Sequence, residues 1–370
     1  MKQTERTSRV CVGIDLHKQQ FTVNAFSEAS GEIVLTGEFR TDSEGYQSFC
    51  ERMHDIEQEQ ECSIELAVEA TGNARYFKNR MESEGFGVRV VNTNRFKVIT
   101  MSTKKTDAND AATLAYYLSK DMLPEAHLCD QTSEEIRRML KTRSILVSSI
   151  VRIKNQIHGM LLGYGIETKT AQFQSKKKRQ ELMKDLVDQG YSQFTASSLK
   201  VTFDILDSLC EEVKRAESQI REMTKENEDV DLLMSVPGVG FVGATTIASY
   251  LSDVGRFEGD FKRFSSYLGI VPGVHNSADT VRLGKITKRG PQDLRTAFVQ
   301  VALGIIRQPQ RTSGWKLMQD YKMMKVTKGS GRAIIALTRK MARIIFVILN
   351  KRTPFNAEMI RKAEKEPQVA

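Results

Sequence analysis

Hydrophobic positions in the first part of the chain switch between two periods. Residues 10–26 are dense in β-branched and apolar side chains, and residues 32–39 repeat that texture after the turn-forming Ser27-Glu28-Ala29-Ser30-Gly31. This pattern predicts a β-hairpin. A helical period follows over about 43–57, then a strand over 63–69, a helix over about 74–84 and a strand over 87–91. Strands that alternate with helices predict an α/β domain, with its boundary placed at residue 128.

From Glu134 onward the apolar positions step by four and three: Ile136, Leu140, Val147, Ile150, Ile157 and Leu161, with Arg143 and Lys154 interrupting the seam. A second run, Leu199, Phe203, Leu206, Cys210, Val213 and Ile220, follows a polar connection that contains Lys176-Lys177-Lys178-Arg179. Two long helices paired antiparallel as a coiled-coil hairpin over 129–229 are expected. The same seam equally offers an interface between copies, as a dimer or tetramer, and the basic run reads as a solvated face. After Asp231 the texture changes again. The turn Val236-Pro237-Gly238-Val239-Gly240 separates helical segments, a glycine- and cation-rich stretch spans 269–295, and a basic helical end spans 332–351. These features predict a third, mainly α-helical domain over 230–352 and a polar tail over 353–370.

The charge balance gives this layout a partner. Fifty-five Lys and Arg stand against 46 Asp and Glu, a formal +9, which favours a polyanion because fixed cations displace the counterions condensed on nucleic acid. The apolar run Ile344-Ile345-Phe346-Val347-Ile348-Leu349 is too short to span a bilayer, so no membrane role is expected. Five scattered cysteines lack the close pairs of zinc sites or disulfide frameworks and are expected to be reduced, in a cytoplasmic protein.

Four carboxylates stand out by position. Asp15 lies in the apolar strand Cys11-Val12-Gly13-Ile14-Asp15, where a buried charge is costly unless a cation compensates it. Glu69 closes Ile64-Glu65-Leu66-Ala67-Val68-Glu69 at the carboxyl end of a strand, where open α/β sheets place their sites. Glu65 shares its face but lies deeper in the strand. Asp107 and Asp110 are three apart in the first turn of a helix, on one face. Taken alone, that pair reads as helix capping by Thr106 or Asp107 and as acids favoured by the dipole. Together the four form the hard-oxygen set that suits Mg²⁺ (or Mn²⁺) in phosphoryl transfer.

The motifs Gly13-Ile14-Asp15, Val68-Glu69-Ala70-Thr71-Gly72 and Lys105-Thr106-Asp107-Ala108-Asn109-Asp110-Ala111 resemble those of the RuvC-like DEDD transposases of insertion sequences, the "one-ten" group. The resemblance implies an RNase H-like (RuvC-like) N-terminal fold in which Asp15, Glu69, Asp107 and Asp110 bind divalent metal. It also implies that Lys104 and Lys105 lie beside that site and hold a DNA phosphate.

The later part of the chain carries a second set of motifs. Ser235-Val236-Pro237-Gly238-Val239-Gly240 is similar to the turn of a helix-hairpin-helix, in which Gly238 and Gly240 let backbone N–H groups approach a phosphate; a plain turn between helices fits equally well. Arg282, Lys285, Lys288, Arg289 and Arg295 crowd a glycine-spaced stretch, an arrangement suited to clamping a phosphodiester. Pro272, His275, Ser277, Arg282, Gly284, Lys288 and Gly290 match the signature of the C-terminal transposase domain of the same group, with Ala278 where glycine is common. The resemblance implies that Ser277 is a nucleophile that links covalently to DNA. It further implies that a structured RNA from the element pairs with the element ends and the target. The leading expectation is therefore a transposase or site-specific recombinase. Two other readings stay open: a metal-dependent endonuclease of the Holliday-junction type, and a non-catalytic nucleic-acid-binding protein. His17 and His275 lie near the proposed sites and are left outside the catalytic set.

Overall fold

The computed structural model describes residues 8–93, 95–96, 106–169, 173, 175–277, 280–356 and 360, with side chains left out for 275–277 and 280–283. The chain forms two compact units, Met1–Leu128 and Cys129–Ala370.

The first unit is built on a mixed sheet of β1 (Arg9–Leu16), β2 (Gln20–Ser27), β3 (Ile33–Arg40), β4 (Ser63–Glu69) and β5 (Gly87–Val91), in the order β3-β2-β1-β4-β5. β2 runs antiparallel to both β1 and β3, while β4 is parallel to β1 and β5 parallel to β4. Residues 10–26 thus make two strands, and the expected hairpin is a three-stranded meander. The break falls at the polar His17-Lys18-Gln19, where the His17 N–H donates to the Gln20 carbonyl at 3.0 Å.

Both faces of the central strands are covered, which is why β1 reads as a nearly unbroken apolar run. Val10, Val12, Ile14 and Leu16 join the core formed with α1 (Ser43–Glu59) and α2 (Ala74–Ser83), where Phe21 packs against Phe39, Tyr46, Phe49 and Phe77. Cys11, Ala67 and Val91 face the other way, onto Leu114 and Leu118 of α3 (Asp107–Ser119).

The second unit begins with α4 (Gln131–Leu162), α5 (Lys176–Asp188) and α6 (Gln193–Met223). α4 and α6 pair antiparallel. Arg143 near the start of α4 bonds Glu217 near the end of α6 at 2.7 Å, and Ile157 and Leu161 pack with Leu199, Phe203 and Leu206 at the opposite end. The first of the two polar breaks in the α4 seam, Arg143, is therefore filled by an ion pair. The basic run at 176–179 opens a helix, and its last member is not solvated: Arg179 is buried, donating to the Phe173 carbonyl and to Asp207.

A separate helical core follows from α7 (Glu228–Met234), α8 (Phe241–Tyr250), α9 (Phe261–Leu268), α10 (Gln292–Ile306), α11 (Pro309–Thr312), α12 (Lys316–Lys328) and α13 (Ser330–Lys351). Phe264 stacks on Phe346 at 4.8 Å in its centre. Between α9 and α10 a two-stranded ribbon projects, β6 (Pro272–Ser277) against β7 (Thr280–Ile286). Part of the expected polar tail is docked: the Phe355 N–H donates to Ser235 Oγ at 2.9 Å, and Ile360 is buried in the core. Among the described residues no helix is long and apolar enough to cross a membrane.

Cys11, Cys50, Cys62 and Cys129 are buried and free, and Cys210 is half-buried. Desolvation pushes the Cys11 thiol up to about 12 and the Cys50 thiol up to about 11, far from the thiolate that reacts. Native protein at about pH 8 should accordingly take up at most one equivalent of thiol reagent, at Cys210, with the rest labelled only after denaturation. Mass spectrometry of the labelled chain checks this, and rapid native modification of Cys11 or Cys50 would contradict the packing.

Candidate functional site

The position of the acidic site follows from a glycine. Alternation along β1 points Val12 and Ile14 to the α1/α2 core, so Gly13 and Asp15 face α3. A Cβ on Gly13 would lie 1.9 Å from the Ala111 carbonyl oxygen, 2.5 Å from the Ala115 nitrogen and 2.8 Å from Leu114 Cβ. The helix backbone rests directly on the strand, and this contact brings the first turn of α3 to the carboxyl end of β1.

That turn is capped by Thr106, whose hydroxyl accepts from the Asn109 N–H at 3.3 Å. The capping role is filled by Thr106 rather than by Asp107. Asp107 Oδ2 lies 3.3 Å from His17 Nε2, and Asp15 Oδ2 lies 3.3 Å from the same nitrogen. Asp15 sits one residue from the end of β1 rather than at the strand centre, with its side chain 15% exposed, and Asp110 is buried one helical turn beyond Asp107. Glu69 reaches the same region through register. Ile14 pairs with Val68 in the parallel ladder, and Asp15 and Glu69 each follow by one residue, on the same sheet face.

Loop contacts join these segments. Thr71 Oγ1 donates to Asn73 Oδ1 at 2.9 Å, and Asn73 Nδ2 donates to the His17 carbonyl at 3.0 Å, tying the loop after Glu69 to the turn after Asp15. The competing acid, Glu65, is held by Arg9 at 2.6 Å and Arg89 at 2.5 Å, so it serves an ion-pair cluster inside the sheet. His17 was outside the expected set. Its signal in the sequence is the two-residue spacing from Asp15, which puts both on one side of an extended chain. Hard carboxylate oxygens joined by one imidazole nitrogen, with donor atoms of Asp15, His17 and Asp107 all within 4.8 Å of one another, are a set that fits a divalent cation.

Lys104 and Lys105 lie outside the described residues, as do the side chains of His275, Ser277 and Arg282. In the backbone register of the ribbon, His275 pairs with Arg282 and Ser277 with Thr280, which places Ser277 at the tip. The base of the ribbon is fixed. The Thr287 N–H donates to the Val271 carbonyl and the Lys288 N–H to the Gly269 carbonyl, while a Cβ on Gly290 would lie 1.7 Å from the Tyr267 carbonyl oxygen.

The cations named from the sequence divide into two groups. Lys285, Lys288 and Arg289 are exposed, whereas Arg295 donates to the Gly290 and Leu268 carbonyls at 3.1 and 3.4 Å and so braces the ribbon base. Gly238 has φ +85° and packs its backbone against Gly304 and Ile305 of α10, where a Cβ would lie 2.8 Å from the Ile305 nitrogen; Gly240 precedes α8 as its N-cap. With Arg295 included, the stretch 294–357 carries 13 Lys and Arg and a single carboxylate, Asp320, which is paired with Lys340 at 2.7 Å.

Two family models match the chain in order: a DEDD-type IS110 transposase model over residues 12–166, and the transposase IS116/IS110/IS902 family over residues 230–315. Together they take in more than half of the sequence. The chain belongs to the IS110 family of transposases. This transposase is similar to the transposase for insertion sequence element IS1111A of Coxiella burnetii, at 26% identity over 78% of the chain and 79% of the relative. It is also similar to the transposase for IS1328 of Yersinia enterocolitica, at 24% identity over 93% of the chain and 98% of the relative. A probable family 20 transposase of Pseudomonas aeruginosa matches at 24% over 78% of the chain and 84% of its own length. Membership makes the protein one of a family of DNA-processing enzymes.

The Gly13 contact yields a direct test. Gly13→Ala places a methyl group inside the α3 backbone, and the transposase should lose about 1–3 kcal/mol of stability, the usual cost of overpacking a close contact. A thermal melt measures this, and an unchanged melting temperature would contradict the contact.

Proposed function

We propose that this transposase cleaves and rejoins DNA strands at the ends of an insertion sequence and at its target, using Ser277 as nucleophile and Asp15, Glu69, Asp107 and Asp110 as the ligands of divalent metal. The observation that carries the reading is the approach of Asp107 to Asp15 at the carboxyl end of the central parallel strands. The strand order 3-2-1-4-5, with three antiparallel strands and two parallel ones, supports an RNase H-like reading of the first unit.

In this reading Asp15 and Asp107 hold Mg²⁺ or Mn²⁺ with Glu69 and Asp110. When bound, the ion supplies positive charge against the oxygens of a scissile phosphate. Lys285, Lys288, Arg289 and Arg282 bind the phosphates of the strand, with Lys104 and Lys105 doing the same beside the carboxylates. The Ser277 oxygen bonds to phosphorus as its hydroxyl gives up a proton, the bridging P–O bond breaks, and the released strand oxygen takes up a proton. The reverse step on a second strand releases serine and rejoins the backbone. The braced base of the ribbon carries the exposed Lys285, Lys288 and Arg289, and Ser277 stands at the opposite, tip end of the same ribbon. Gly238 and Gly240 present the amino end of α8 to a further backbone phosphate.

An element-encoded guide RNA selects the sequence by base pairing, which leaves the basic surfaces to read backbone and shape. The α4/α6 hairpin assembles copies into a dimer or tetramer; exposed Val201 and Ile205 on α6 and Ile145 on α4 favour this role. The enzyme works in the cytoplasm, a compartment that suits five free thiols.

The test uses the full chain with duplex element ends, the element's RNA and Mg²⁺, resolved on a denaturing gel with mass-spectrometric mapping. A protein–DNA adduct at Ser277 is expected, absent from Ser277→Ala and from Asp15→Asn. Metal-dependent cutting that leaves free ends and no adduct would instead assign the chemistry to the carboxylates alone, as in a junction endonuclease. That second reading draws on the first unit alone, in which Asp15 and Asp107 approach each other at the carboxyl end of β1.

A further inference from the structure

We infer that His17 is a nitrogen ligand of the carboxylate site and that it tilts the site toward Mn²⁺ over Mg²⁺. The inference rests on the metal-binding reading of Asp15 and Asp107 given above. His17 Nε2 is 3.3 Å from Asp15 Oδ2 and 3.3 Å from Asp107 Oδ2. Both separations lie just beyond the roughly 2.7–3.2 Å range of N–H···O hydrogen bonds. They are close to the spacing of adjacent ligands around an octahedral ion, which is about 3.0 Å for bonds of roughly 2.1 Å. One imidazole nitrogen thus stands at ligand spacing from two carboxylates that approach from different elements, one from β1 and one from α3.

The backbone that carries this half-exposed imidazole is held in place. His17 opens the turn between β1 and β2, with its N–H bonded to the Gln20 carbonyl and its carbonyl accepting from Asn73 Nδ2, each at 3.0 Å. Asn73 is fixed in turn by Thr71, two residues beyond Glu69. The backbone of His17 is therefore tied to the loop that follows another proposed ligand.

The chemical consequence follows from the donor type. Mg²⁺ takes oxygen ligands and water almost exclusively, whereas affinity for imidazole nitrogen rises from Mn²⁺ along the first transition series. A site with one nitrogen among carboxylates accepts Mn²⁺ with all its donors and Mg²⁺ with fewer. Replacing His17 by Gln removes the nitrogen and leaves the carboxylates untouched, so Mn²⁺ affinity should fall by at least about tenfold while Mg²⁺ affinity changes little.

The experiment is Mn²⁺ binding to the full chain, counted by the EPR signal of free Mn²⁺, with pulsed EPR on the bound ion. In the wild type, directly bound ¹⁴N should appear as a hyperfine coupling, and it should vanish in His17→Gln with Mn²⁺ still bound at higher concentration. Bound Mn²⁺ without nitrogen coupling in the wild type would overturn the assignment while leaving the carboxylate site intact. So would a coupling that persists in His17→Gln, since it would come from another of the chain's five histidines. Absence of any Mn²⁺ site sensitive to Asp15→Asn would overturn the carboxylate reading itself, and the role of His17 with it.

Discussion

The contact between the backbone of α3 and Gly13 is the constraint on which the first unit depends. A strand and a helix normally keep a layer of side chains between them. Here the layer is missing at one position, because a Cβ at Gly13 would overlap the helix backbone. The helix therefore sits low over β1, and its first turn meets the strand end where Asp15 emerges. Raising the helix by one side-chain layer would separate Asp107 from Asp15 by several times the tolerance of a coordination shell. The surrounding apolar contacts of Leu114 and Leu118 with Cys11, Ala67 and Val91 hold the helix there. Two carboxylates from different parts of the chain can then share one small volume.

The second unit is organised by a different balance, between cations that face solvent and cations that hold the scaffold. Arg137 donates twice to the Ser249 carbonyl and stacks on Tyr250, joining α4 to α8. Arg179 and Arg295 likewise donate to backbone carbonyls, those of Phe173 for the first and of Gly290 and Leu268 for the second. These guanidiniums resemble the exposed ones in sequence and differ in what surrounds them. The positive surface available to a polyanion is consequently smaller than the count of basic residues, and it is concentrated where carboxylates are scarce, in the ribbon and the last two long helices.

Much of this was legible in the order of residues, for reasons that differ by element. The α/β alternation of the first unit and the paired seams of α4 and α6 follow directly from period, since burial on one face repeats at fixed steps. Glu69 was separable from Glu65 by its place at the strand mouth, and the structure adds that Glu65 is neutralised by Arg9 and Arg89. The break between β1 and β2 was hidden because only His17, Lys18, Gln19 and Gln20 interrupt two apolar runs. The ribbon was hidden because Pro272, Gly273 and Gly284 blur its alternation. Arg179 and Arg295 were opaque for another reason: whether a cation is solvated or buried depends on which carbonyls the distant chain brings to it. His17 stood outside the expected set because only the fold brings Asp107 to its other side.

The docking of Phe355 and Ile360 beyond α13 bears on how the protein is made. The hydrophobic core of the second unit includes residues that follow its last long helix. A ribosome delivers the chain from the amino end, and domains usually fold as they emerge. The sheet and its acidic end are complete in sequence by Leu128, whereas the core of the unit that bears Ser277 has all of its members only when translation has passed Ile360. On a nascent chain, then, the acidic end assembles early and the serine-bearing core closes late, so a prematurely terminated product would carry the carboxylates without a settled serine ribbon.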